Sequence, residues 1–144
     1  MLNVVALRGR LMRPAEVRSL PNGTSVLGLE LSVRREGEDR ADSVPVVLYD
    51  PPDGSTSALE VDAELVVVGH VARRFFRTAG GTQSRTEVVA SAVHPARSAK
   101  RVAGAFRGVV EAVESAASAA AAGGGGGRGS KGGGGRKGAK AGAA

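Results

Sequence analysis

The sequence predicts an all-β domain curling toward a small barrel, followed by a helical segment and a low-complexity tail. Three observations predict it. Apolar and polar residues alternate with the period of a strand along most of the first 94 positions. Turn-forming residues separate the alternating stretches, most clearly Pro21-Asn22-Gly23, where proline presets one torsion and Asn-Gly accepts positive ones. A glycine, Gly69, interrupts the most apolar run, as expected where a strand bulges or bends.

Residues 3–11, NVVALRGRL, place Val5, Leu7, Gly9 and Leu11 on one face and Arg8 and Arg10 on the other, a half-buried first strand with one cationic side. Pro14 stops the pattern, and residues 15–20, AEVRSL, form a short extension into the turn. Residues 24–35, TSVLGLELSVRR, set Leu27, Leu29, Leu31 and Val33 against Val26, Gly28, Glu30, Ser32 and Arg34, the cleanest alternation in the chain. A charged loop spans 36–42. Residues 43–50, SVPVVLYD, turn Val44, Val46 and Leu48 inward and leave Tyr49 on the outer face, while Pro45 withholds a ladder donor and argues for an edge or a distortion.

Residues 51–62, PPDGSTSALEVD, hold the one place in the domain for a helix: one or two turns over 55–60, between the third and fourth strands. The fourth strand, residues 65–76, LVVVGHVARRFF, starts as a β-branched run suited to burial on both faces. Beyond Gly69, Arg74 and Phe76 share one face while Val71, Arg73 and Phe75 share the other. Each face thus pairs a ring with an arginine, the chemistry that stacks an unpaired base and holds its phosphate. The competing reading is a core phenylalanine beside solvated arginines. Residues 79–82 supply a loose hairpin tip, and residues 85–93, RTEVVASAV, a fifth strand ended by His94-Pro95.

The chain thus divides into a β domain over 1–96, an alanine-rich helix over 97–122 and a tail over 123–144. The helix carries a narrow apolar stripe, Val102, Phe106, Val109 or Val110, and Val113, able to dock on the domain, pair with a partner or fray. The tail is glycine broken by Arg128, Lys131, Arg136, Lys137 and Lys140, a composition expected to stay disordered as a flexible cation.

Charge follows the same division. The formal charge is +6, but residues 1–100 hold 13 basic and 12 acidic side chains and residues 101–144 hold 7 and 2. Cysteine is absent, which excludes disulfides and thiolate chemistry. Arg8 and Arg10 break the amino-terminal apolar run, so it does not read as a signal peptide, and no run approaches the roughly 20 apolar residues of a membrane span. A cytoplasmic protein without membrane contact is expected. His70 and His94 are the only histidines, too few for a zinc set, and no cofactor fingerprint is present. Ser43, Ser55 and Ser57 lie in no nucleophile motif, so an enzyme is not expected.

Five strands with a helix between the third and fourth follow the order of an OB-fold barrel. NVVALRGRL, PAEVRSLPNG, VVLYD, LVVVGH with RRFF, and RTEVV, in that order and spacing, resemble the bacterial single-stranded DNA-binding protein family over residues 3–94. The resemblance implies a homotetramer, or a dimer, that wraps single-stranded DNA in replication, recombination and repair. It matches Tyr49 and Phe76 to the family's stacking aromatics and makes Arg74 a phosphate contact; Phe75, on the opposite parity, is expected to pack. Arg73, Arg77 and Arg85 are further candidates by proximity, and Arg8 and Arg10 either join the DNA path or form a solvated face.

The departures are also informative. Ser43 and Gly37 stand where many relatives carry tryptophan, and the chain has none. Each missing platform removes roughly 1–3 kcal/mol of stacking per base, which leaves arginine more of the contact and predicts a steep salt dependence. The carboxyl end, GAKAGAA, is basic where many relatives carry an acidic, apolar-tipped recruiting peptide, so recruitment by that device is not expected. The alternative function is an oligomeric adaptor of the same fold, primosome-like, with weak DNA binding.

Overall fold

A computed structural model of the chain describes residues 1–57 and 59–123; all of the expected tail except Gly123 lies outside the described residues. Six strands, β1 (Val5–Leu11), β2 (Glu16–Ser19), β3 (Ser25–Arg34), β4 (Ala41–Tyr49), β5 (Glu64–Thr78) and β6 (Gly81–Pro95), precede one helix, α1 (Ala99–Gly123). They hydrogen-bond in the order β1-β5-β6-β4-β3-β2, and an added pairing of β1 with β3 closes the sheet. The result is a five-stranded barrel with one extra strand: the extension before the Pro-Asn-Gly turn becomes β2, laid against β3 from Glu16↔Gly28 to Ser19↔Ser25.

Closure depends on Gly9. Most of β1 pairs with β5, but its last residues, Arg10 and Leu11, pair with Ser32 and Leu31 of β3. A Cβ at the handover would lie 2.6 Å from the Ser32 carbonyl oxygen and 3.0 Å from a Val33 methyl. Only a residue without a side chain lets the strands approach so closely.

The alternating residues fill the barrel as their periodicity requires, with Leu11, Leu27, Leu31, Val46, Leu65 and Val67 sealed from solvent. Val66 is buried as well, so this stretch of β5 is covered on both faces. Its bend falls where the glycine predicts: the β5–β6 register shifts between Val68 and Gly69, and a Cβ on Gly69 would collide with the Val89 carbonyl oxygen. Pro45 sits where the parallel β4–β6 ladder, confined to Val46–Val88 and Val47–Val89, has ended.

The helix expected over 55–60 is not formed, and among the described residues the one helix is α1. Single turns replace it, with the amides of Ser55, Ser57 and Leu59 donating to the carbonyls of Pro52, Gly54 and Thr56. Gly54 adopts a φ of 78°, outside the helical region, and the Ser57 hydroxyl donates to the Gly54 carbonyl at 2.7 Å. Short serine-rich segments lose helix to such local bonds, and here Leu59 packs against the core instead.

The β5–β6 hairpin is longer and its tip tighter than the sequence suggests, turning over Ala79 and Gly80 alone. At the other end, the Asn3 side chain extends the ladder beyond β1: its Nδ2 donates to the Val71 carbonyl at 2.8 Å and its Oδ1 accepts from the Val71 amide at 2.9 Å. α1 rests on β5 and β6 through a half-buried line of Val102, Ala105, Val109 and Ala112, leaving Phe106, Val110 and Val113 exposed. No described helix is long and apolar enough to cross a membrane.

Candidate nucleic-acid interface

Strand pairing sets the outer face of the sheet in rows. Arg18, Val26 and Tyr49 form one row, and Glu16, Gly28 and Val47 the next. Val47 pairs with Val89, from which β6 carries Glu87, Arg85 and Gln83 along the same face, opposite Ala72, Arg74 and Phe76 of β5. Arg10, Ser32 and Ser43 make a further row.

Both outer rings are open to solvent, Tyr49 by 40% and Phe76 by 38%. They are not neighbours. Tyr49 lies past the Val47–Val89 pair, while Phe76 pairs with Gln83 near the hairpin tip. At a rise of about 3.3 Å per residue, the two are on the order of 25 Å apart along the strand direction. A strand of nucleic acid touching both would extend over several nucleotides.

The arginines divide among distinct environments. Arg85 pairs with Arg74 across the hairpin on the same face as Phe76, and no ion pair engages Arg85 among the described residues. Arg74 has a partner of its own: its Nε lies 3.7 Å from Oε1 of Glu87, a carboxylate only 3% exposed. Arg73 and Arg77 point to the opposite side of the hairpin with Phe75. There Arg73 donates to the Ser84 hydroxyl at 3.0 Å and its guanidinium sits 5.3 Å from the Phe75 ring centre.

Phe75, expected to pack because it follows the opposite parity to Phe76, is instead 65% exposed, the most open of the hairpin rings. The barrel interior has ended by that point of β5, so the inward side no longer faces a core.

Arg8 and Arg10 part company as well. The Arg8 Nε donates to Glu64 Oε1 at 2.8 Å, and that hydrogen bond, with the Coulombic attraction behind it, holds the Arg8 guanidinium above its ordinary pKa. The same bond holds the Glu64 carboxyl below the usual carboxylate range. Arg10 forms no ion pair among the described residues and shares a shallow recess with Ser32, Arg34 and the Arg8–Glu64 pair.

The structure therefore gathers Arg74, Arg85 and Phe76 on one side of the hairpin and Arg73, Arg77 and Phe75 on the other. Two participants go unmarked in a linear reading. Arg18 occupies the Tyr49 row, which is legible once the Pro-Asn-Gly turn fixes the β2–β3 register. Glu87 has no sequence signal, since nothing in RTEVV distinguishes a buried carboxylate from a solvated one.

The family model described as the single-strand binding protein family matches residues 2–96. Two curated proteins of Clostridium acetobutylicum, single-stranded DNA-binding proteins 2 and 3, are each 32% identical over 99 residues; the match covers 64% of this chain and 74% and 69% of theirs. Among solved structures, a deletion mutant of the single-stranded DNA-binding protein from Thermus aquaticus superposes with a TM-score of 0.53 at 28% identity. That match spans 65% of this chain but 40% of the Thermus chain.

Proposed function

This chain belongs to the single-strand binding protein family, and from that premise we propose that it binds single-stranded DNA along the outer face of the barrel and the β5–β6 hairpin. Tyr49 and Phe76 serve as stacking platforms, with Phe75 a further ring. Arg18, Arg77, Arg85 and Arg10 meet phosphates, joined by Arg74 and Arg73 where their resident contacts yield. Arg8, bonded to Glu64, contributes least. The observation that carries this reading is the exposure of aromatic rings on a sheet face that also presents guanidinium groups with no ion pair among the described residues. Exposed rings in such surroundings fit bases whose faces are free, and a duplex offers none.

The protein acts as an oligomer, a tetramer or a dimer, that coats single strands during replication, recombination and repair. The basic tail adds sequence-independent phosphate contacts. A titration of labelled oligo-dT and a matching duplex, at low and moderate salt, tests the reading with the full chain and with one ending at residue 123. Submicromolar binding to oligo-dT by the shortened chain, well above its binding to duplex, is expected. Loss of binding on truncation, or equal competition by duplex, moves the binding surface off the barrel and favours the adaptor.

A further inference from the structure

Glu87 is out of place on a face that receives phosphates. A carboxylate there repels the backbone of any nucleic acid unless it is neutralised or put to use, and its neutralisation is incomplete. Its Oε1 has one partner, Arg74 Nε at 3.7 Å, beyond hydrogen-bond length. Its Oε2 is buried with no partner among the described residues. Buried polar atoms are almost always satisfied by protein, water or ligand, so an acceptor that no protein donor reaches is available to a donor from outside.

Glu87 lines a cavity of about 180 Å³ on the outer face, between the Tyr49 row and the hairpin arginines. Arg18 and Arg85 line it as well, and neither forms an ion pair among the described residues. Gly28 leaves it without a side chain on the β3 side. Of the remaining charges, Glu30 and Arg13 are paired with each other at 3.1 Å, while Glu16 adds a second carboxylate with no ion pair among the described residues.

What fits is a flat group that donates on one edge and accepts on another. An inorganic anion would meet Glu87 with the wrong sign. A metal ion is no better served, since no cluster of three or more ligating side chains exists among the described residues. A nucleobase with an exocyclic amine has both edges, and cytosine is the smallest: N4–H₂ donates, while N3 and O2 accept. Carboxylates read cytosine through that amine in duplex grooves.

Resting on the single-strand reading above, we propose that this cavity is a base-reading subsite, in which Glu87 accepts from the N4 amine of an unpaired cytosine and Arg18 or Arg85 donates to its acceptor edge. Uracil presents a carbonyl at the same position and sets oxygen against oxygen. The binding surface therefore carries one position with a base preference among contacts that have none.

The test compares 15-nucleotide oligo-dC and oligo-dU, which share a backbone and differ at the atoms in question. By fluorescence anisotropy with the full chain, oligo-dC is expected to bind about tenfold more tightly, the low end of one good base contact. In Glu87→Gln, whose amide can donate to uracil, the ratio is expected to fall to about one, with oligo-dU binding held or tightened.

Equal or tighter binding of oligo-dU by the unmodified protein overturns the subsite while leaving single-strand binding intact. Failure to bind either oligonucleotide overturns both. Should Glu87→Gln not fold, an oligonucleotide of 2-pyrimidinone, which lacks the 4-amine, replaces the variant. Binding reduced to the oligo-dU level supports the subsite, and binding as tight as oligo-dC overturns it.

Discussion

One strand, β5, contains two regions that behave as different materials. From Leu65 to Val67 every side chain is buried, whereas from Arg73 to Phe76 every side chain is exposed. Composition and bend together divide them. The first region is β-branched and aliphatic and sits where β1 and β6 cover it on either side. The second is two cations and two rings on a hairpin that has left the barrel, with only β6 beside it. Gly69 lies near the change, at the register shift. The comparison teaches that stability and binding occupy separate stretches of the same strand, so substitutions should separate them too.

The largest effect is expected at the bend. In Gly69→Val the new side chain meets the Val89 carbonyl oxygen with no room to yield. A loss of about 4 kcal/mol or more is expected, seen as a collapse of the urea unfolding midpoint, and an unchanged midpoint would break the division at its hinge. Next come the rings. Tyr49→Ala combined with Phe76→Ala should weaken oligo-dT binding by about 1–3 kcal/mol per lost stack. Neither residue is in the buried core, so the urea midpoint should barely move.

A smaller change is expected for Arg77→Ala. One fewer phosphate contact reduces the slope of log K against log salt by about 0.7 for single strands, measurable by titration at several salt concentrations. The smallest belongs to Glu64→Gln, at the barrel end of β5. The Glu64 carboxyl is held low by the hydrogen bond from Arg8. A depressed carboxyl contributes stability above its unfolded pKa and loses it as pH falls through the folded value. Both partners are exposed, so a slight destabilisation at neutral pH is expected, vanishing in acid; persistence of the difference in acid would assign it to packing.

Much of this division was legible in the sequence. Period-two alternation places Leu27, Leu29 and Leu31 inward and Tyr49 outward without further information, and a glycine in a β-branched run announces the bend. The misread segments share a cause. Residues 55–60 have helical content by propensity, yet the Gly54 conformation and the Ser57 hydroxyl decide against it through local bonds that propensity does not weigh. Phe75 follows the inward parity of β5, but parity says nothing about where the barrel stops. Arg74 and Arg85 look equivalent in RRFFRT and SRTEVV until cross-strand register gives one of them Glu87 and leaves the other open.

Tyr49 makes the central claim directly measurable, because it is the only tyrosine in a chain without tryptophan. Intrinsic emission of the unmodified protein therefore reports on that ring alone. Titration with oligo-dT is expected to quench the emission in step with the rise in anisotropy of the labelled strand, both saturating at one stoichiometry. Binding that saturates by anisotropy while the tyrosine emission stays unchanged would contradict the account.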